Sequence, residues 1–106
     1  MLHKFTDANF QSDVLDVKGL VMVDFYASWC GPCQALAPVL EELAQDFDGK
    51  ASIGKYSVED DNKFAAEYNV MSIPAVKFFK DGEYVGEIAG LRAKEDYADK
   101  LNELLG

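Results

Sequence analysis

The chain reads as an α/β domain: a central mixed sheet of about five strands flanked by about four α-helices. Three observations predict this. Short apolar runs alternate with segments of helical period, the mark of parallel crossover units. Two further strand-like runs flank Asp81-Gly82, a two-residue hairpin signal that adds antiparallel strands to the same sheet. Between the second strand and the helix after it lies Trp29-Cys30-Gly31-Pro32-Cys33, which contains the only two cysteines in 106 residues.

Leu2 to Phe5 is a first short strand, and Thr6 or Asp7 is placed to cap a segment in which Phe10, Val14 and Val17 recur at helical spacing. Gly19 breaks that segment. Leu20 to Tyr26 is apolar apart from Asp24, as expected of a central strand covered on both faces. Cys33, Leu36, Ala37, Leu40, Leu43, Ala44 and Phe47 follow i, i+3, i+4 spacing and predict an amphipathic helix ended by Asp48-Gly49. Pro38 removes a donor within it, so a kink is expected about one turn beyond the cysteines. Ile53 to Val58 is the third strand. Asp60, Asp61 and Asn62 offer caps for a short helix bearing Phe64, Ala65 and Tyr68, with Asn69 closing it in a left-handed conformation. Ala75 to Lys80 and Glu83 to Ala89 form the hairpin. From Lys94 onward, Tyr97, Ala98, Leu101, Leu104 and Leu105 share one helical face.

With 49% hydrophobic and 27% charged residues, the length suits one core and one domain, residues 1–106. The first five residues lack the apolar stretch of a secretion signal, and the longest apolar run, Leu20 to Val23, is far too short to span a membrane. A cytoplasmic location is the expectation, and two cysteines in one motif do not make the stapled framework of a small secreted domain. Nineteen acidic against ten basic residues leave a net charge of −9, which opposes binding to nucleic acid and to anionic membranes. The acidity serves solubility or the selection of basic partners. Nothing demands more than a monomer.

The chemistry open to Cys30 and Cys33 follows from counting ligands. A structural zinc needs about four ligands, and the chain has no second cysteine pair and one histidine, His3, remote from the motif. Covalent haem needs a histidine after the second cysteine, where Gln34 stands. An iron–sulfur cluster takes four thiolates and survives only as a bridge between two chains. Neither metal nor cofactor is expected. A purely structural disulfide closing so small a loop constrains the unfolded chain little. Reversible dithiol chemistry remains, because Gly31-Pro32 sets a turn that brings the thiols together and a helix start beside them favours thiolate over thiol. Asp24 is the other anomaly. A carboxylate inside an apolar strand has a raised pKa, so it either exchanges a proton with Cys33 through water or is a structural residue, kept neutral or paired with Lys55.

These residues resemble the thioredoxin family, through residues 23–33, Ala37-Pro38, Ser72-Ile73-Pro74 and Lys80-Asp81-Gly82-Glu83, with Gly90 at a matching distance. The resemblance covers essentially the whole chain and implies a thioredoxin fold and protein-disulfide reductase activity that maintains redox homeostasis. It implies that Cys30 is the attacking thiolate, that Cys33 resolves the mixed disulfide, and that Asp24 assists proton transfer. It further implies a cis Ile73–Pro74 bond beside the cysteines and a shallow apolar patch of Trp29, Gly31, Pro32, Ile73, Pro74 and Gly90 that receives disulfide-containing client proteins. A thioredoxin reductase is the implied electron source. Tyr26, Gln34 and Ala75 depart from common family residues. The loss of a cation at Gln34 weakens thiolate stabilisation only modestly, since an exposed charge is screened. The same fold also serves oxidases, isomerases and redox-independent binding modules.

Overall fold

The computed structural model describes all of residues 1–106. Strands β1 (Leu2–Phe5), β2 (Leu20–Tyr26), β3 (Ala51–Ser57), β4 (Ala75–Lys80) and β5 (Glu83–Ala89) form one sheet in the order β1-β3-β2-β4-β5. The first three run parallel; β4 pairs antiparallel with β2, and β5 antiparallel with β4. A π-helical turn (Gln11–Leu15) and helices α1 (Gly31–Asp46), α2 (Lys63–Glu67) and α3 (Lys94–Leu105) complete the fold.

Alternation along β2 divides the interior. Leu20 and Met22 meet Leu36, Leu40 and Leu43 of α1 and Tyr97 and Leu101 of α3, whereas Val21, Val23 and Phe25 face Phe10, which caps the π-helical turn, Val14 within it and Phe64 of α2. The second face is aromatic. Phe10 stacks on Phe64 with centroids 4.2 Å apart and meets Tyr56 and Phe79 edge-on at 5.9 and 5.8 Å, arrangements that add to what area burial alone contributes. By the same alternation, Asp24 points to the α1 face.

The hairpin forms as Asp81-Gly82 predicts: φ is 53° and 83° at the two positions, as a type I′ turn requires. A Cβ on Gly82 would run into the Leu15 carbonyl. Asp81 also clasps the start of β2, its carboxylate accepting from the Gly19 N–H at 2.8 Å and its own N–H donating to the Gly19 carbonyl at 2.9 Å. Asn69, at φ 58°, ends α2 as expected.

Three details differ from expectation. The segment after β1 is a π-helical turn of five residues, closed by the Asp16 N–H on the Gln11 carbonyl at 2.8 Å. Thr6 starts its approach by accepting the Asn9 N–H, but Asp7 caps a different helix: its carboxylate takes the Tyr56 hydroxyl at 2.6 Å and the Asn62 and Lys63 N–H groups at 3.2 and 3.3 Å, at the head of α2. Pro38 lies inside helix α1, as expected, and does not end it. Leu105 is the last residue of α3 and is exposed rather than packed with Tyr97 and Leu101.

Candidate functional site

Strand β2 ends beside the cysteine motif, and α1 begins on it. Cys30 is the N-cap, with φ −87° and ψ 113°, and Pro32 sits in the first turn, where a missing donor removes no helical bond. The Cys30 sulfur accepts the Cys33 N–H at 3.3 Å. Cys30 and Cys33 are joined as a disulfide with Cα atoms 5.2 Å apart, and both are buried. In the reduced form the free N–H groups and dipole at this helix start favour a thiolate at Cys30.

The two cysteines face different surroundings. Cys33 lines a cavity of about 230 Å³ that also holds Asp24, Tyr26, Gln34, Leu40 and Lys55. Cys30 faces the other way, its sulfur 3.9 Å from the Ile73 carbonyl oxygen. Asp24 is 2% exposed and its Oδ1 has no hydrogen-bond partner. Burial pushes its pKa up from the ordinary 3.8 to about 7, and the nearby positive charge of Lys55 opposes the shift only in part. Lys55 stands opposite Asp24 in the β2–β3 register, yet the two form no ion pair: the Lys55 ammonium lies over the Tyr26 ring, 5.3 Å from its centroid. Lys55 therefore acts on Asp24 through its charge and not through an ion pair.

On the outer side, Trp29 is 71% exposed. Trp29 and Ile73 line a groove of about 250 Å³ with Val58, Ala65, Val70 and Met71. The Ile73–Pro74 peptide bond is cis. Gly90, at φ 77°, donates its N–H to the Pro74 carbonyl at 2.9 Å and accepts the Tyr97 hydroxyl at 3.1 Å, which anchors the end of β5 beside the Ile73–Pro74 turn. Gly31 and Pro32 are exposed. Pro74 is not: it leads directly into β4 beside buried Ala75, so the patch expected from sequence presents Ile73 rather than the proline ring.

Sequence reasoning missed how the residue before Trp29 is held. The Ser28 N–H donates to Glu59 at 2.6 Å, and its carbonyl accepts the Gln34 amide at 2.6 Å. The Ser28 N–H holds the Glu59 carboxyl below its usual range. Gln34 thus supplies a clamp where only a lost cation was legible. Glu59 lies 31 residues from Ser28 and carries no local signal. Met71 likewise joins the groove through the fold alone.

Other regions offer less. A larger cleft of about 370 Å³ at the N-terminal ends of β2 and β3, lined by residues including Met1, His3, Lys18 and Lys50, contains neither cysteine and no predicted site residue. No three His, Cys, Asp or Glu side chains gather where they would hold a metal ion. No helix is long and apolar enough to cross a membrane.

Comparison with known proteins agrees with this geometry. The thioredoxin family profile matches residues 1–103. Thioredoxins of Staphylococcus epidermidis and Staphylococcus aureus are each 50% identical to the chain over 102 residues, and that of Staphylococcus haemolyticus is 49% identical, in each case covering 96% of both proteins. Such similarity, together with a Cys-x-x-Cys pair at disulfide distance, identifies a thiol–disulfide oxidoreductase with Cys30 and Cys33 as its redox centre. The chain belongs to the thioredoxin family.

Proposed function

We propose that the protein is a protein-disulfide reductase in which the two cysteines have unequal roles. The observation that carries this reading is their asymmetry: Cys33 shares a cavity with Asp24, while Cys30 caps the helix and faces Ile73 and the groove beyond it. The Cys30 thiolate attacks one sulfur of a client disulfide; the client S–S bond breaks, and its departing sulfur leaves as thiolate and takes a proton from water. Cys33 then gives its proton to the Asp24 carboxylate through water and attacks the Cys30 sulfur. The mixed disulfide breaks, the second client sulfur leaves as thiolate and takes a proton from water, and the Cys30–Cys33 bond closes. A carboxylate near 7 is a far better proton acceptor for a thiol of ordinary pKa near 8.5 than one at 3.8.

The client approaches over Trp29, Gly31, Pro32 and Ile73, and Gly90 braces the turn beneath. The Ile73 backbone offers an edge to an extended segment. The acting unit is the single domain 1–106, working as a monomer in the cytoplasm and recharged by a thioredoxin reductase. Two experiments test this. Cys33→Ser accumulates a covalent mixed disulfide with a disulfide-bonded protein and Cys30→Ser accumulates none; the reverse pattern rejects the assignment. Equilibration of the Cys30/Cys33 pair in thiol–disulfide buffers, read by Trp29 fluorescence, places the potential near −270 mV, the value already recorded for thioredoxins, whereas about −180 to −120 mV indicates an isomerase or oxidant.

A further inference from the structure

The three methionines of the chain occupy three different settings. Met22 is wholly buried against α1 and α3. Met1 is 82% exposed at the cleft remote from the cysteines. Met71 is 84% exposed and, with Val70 and Ser72, lines two grooves: the one that holds Trp29 and Ile73, and a second of about 200 Å³ that holds Asn69, Ala75 and Glu87. A flexible, polarisable thioether on the rim of two grooves suits the adaptable docking of apolar side chains.

We propose that Met71 is a peroxide-sensitive modification site whose oxidation weakens the docking of protein clients. The inference rests on the reading of the Trp29–Ile73 groove as the client-binding face. Hydrogen peroxide supplies the oxygen. The thioether sulfur attacks one peroxide oxygen, the O–O bond breaks and an S–O bond forms. The proton on the transferred oxygen passes to the departing hydroxide, which leaves as water. Sulfur loses two electrons and the peroxide gains them. The product sulfoxide is polar and chiral. Seating an apolar client residue against it strips water from a strong dipole with no partner in return. In the disulfide state Cys30 and Cys33 carry no thiolate to compete for peroxide, so the site reacts while the redox centre is protected. A dithiol reductant then reopens the disulfide but leaves the sulfoxide, whose reversal needs a dedicated reductase.

The test begins with the disulfide form, treated with hydrogen peroxide, freed of excess oxidant and reduced with dithiothreitol. Peptide mass spectrometry then locates the added oxygen. The expected result is oxidation at Met71 and Met1 but not Met22. kcat/KM for the disulfide-bonded protein insulin falls about tenfold, mostly through KM, the scale set by removing one apolar contact from a pocket. The rate with bis(2-hydroxyethyl) disulfide, too small to span the groove, stays the same. Met71→Leu, compared with its own untreated rate, loses nothing on peroxide treatment although Met1 still oxidises. The proposal is overturned if Met71 resists conditions that oxidise Met1, if fully oxidised Met71 leaves the insulin rate unchanged, or if Met71→Leu loses rate equally. If the small disulfide slows in parallel, the damage lies in the redox centre and not in docking, and the proposal also fails. An untreated protein that reduces the small disulfide but not insulin contradicts the client-docking reading itself, and the inference falls with it.

Discussion

One acidic and one basic side chain are buried in the strands of this protein, on opposite faces of the sheet, and they are treated in opposite ways. Lys77 on β4 has a side chain only 5% exposed, yet its ammonium meets Glu87 at 2.7 Å and lies 5.0 Å from the centre of the Tyr84 ring. Asp24 on β2 has no ion pair and an orphaned oxygen, and it opens on a cavity shared with a redox cysteine. A buried charge with its partners in place is structural, since breaking the pair leaves a cost and keeping it does no chemistry. A buried carboxylate without partners is held near neutral pH by desolvation, which is the condition for passing protons.

The comparison breaks most readily at Asp24. Asp24→Asn keeps the shape and removes the titration. Below about pH 4 the carboxyl is neutral in folded and unfolded chains alike, and wild type and variant are equally stable. Between about 4 and 7 the unfolded chain releases a proton that the fold retains, so wild-type stability falls as pH rises. Above about 7 the loss is complete, and the variant is the more stable by about 4 kcal/mol. Denaturant melts of both proteins from pH 4 to 8 check this: a constant gap across the range contradicts it. The same substitution slows resolution of the mixed disulfide by up to about a hundredfold at pH 7, as loss of a positioned proton acceptor does.

Lys77 sharpens the contrast from the other side. Lys77→Ala loses the pair and the packing of the side-chain stem, and costs about 3 kcal/mol, the low end for a broken buried pair because Glu87 is 45% exposed and rehydrates. Lys77→Met, which restores the stem, recovers most of that. Insulin reduction stays at the wild-type rate in both; a loss of rate with stability intact in Lys77→Met would erase the distinction drawn here.

The smallest effect belongs to the Ser28 clamp. Gln34→Ala removes one exposed amide hydrogen bond and less than about 1 kcal/mol of stability. Time-resolved fluorescence anisotropy reports the change instead: Trp29 reorients faster once its preceding peptide is held by Glu59 alone. Gln34→Lys returns a donor to the Ser28 carbonyl and restores the wild-type decay, whereas equal decays in wild type and Gln34→Ala show that the clamp holds nothing.

The fold was legible where local chemistry and tertiary demand coincide. The bounds of β2, β4 and β5 agree with the apolar runs because Gly19 and Asp81-Gly82 punctuate them and the turn needs positive φ. The cysteine motif was legible because its chemistry is contained in five consecutive residues. What escaped was set by distance along the chain. Asp7 sits where a local cap belongs, but Tyr56 and the head of α2 offer its carboxylate better partners some fifty residues away. Glu59 reaches Ser28 only through the parallel pairing of β2 with β3. The anomaly of Asp24 was visible as one acid in an apolar run; that Lys55 turns to Tyr26 and leaves it unpaired is a matter of side-chain geometry, which no spacing encodes.

The decisive measurement follows a single turnover. A chromophoric thiol is placed in mixed disulfide on Cys30, and its release by Cys33 is timed from pH 6 to 8 in the wild type, Asp24→Asn and Lys77→Met. The account predicts that wild type and Lys77→Met release at the same rate throughout, with a titration near pH 7, and that Asp24→Asn is slow and lacks that titration. Release from Asp24→Asn at the wild-type rate, with the same pH dependence, would contradict it.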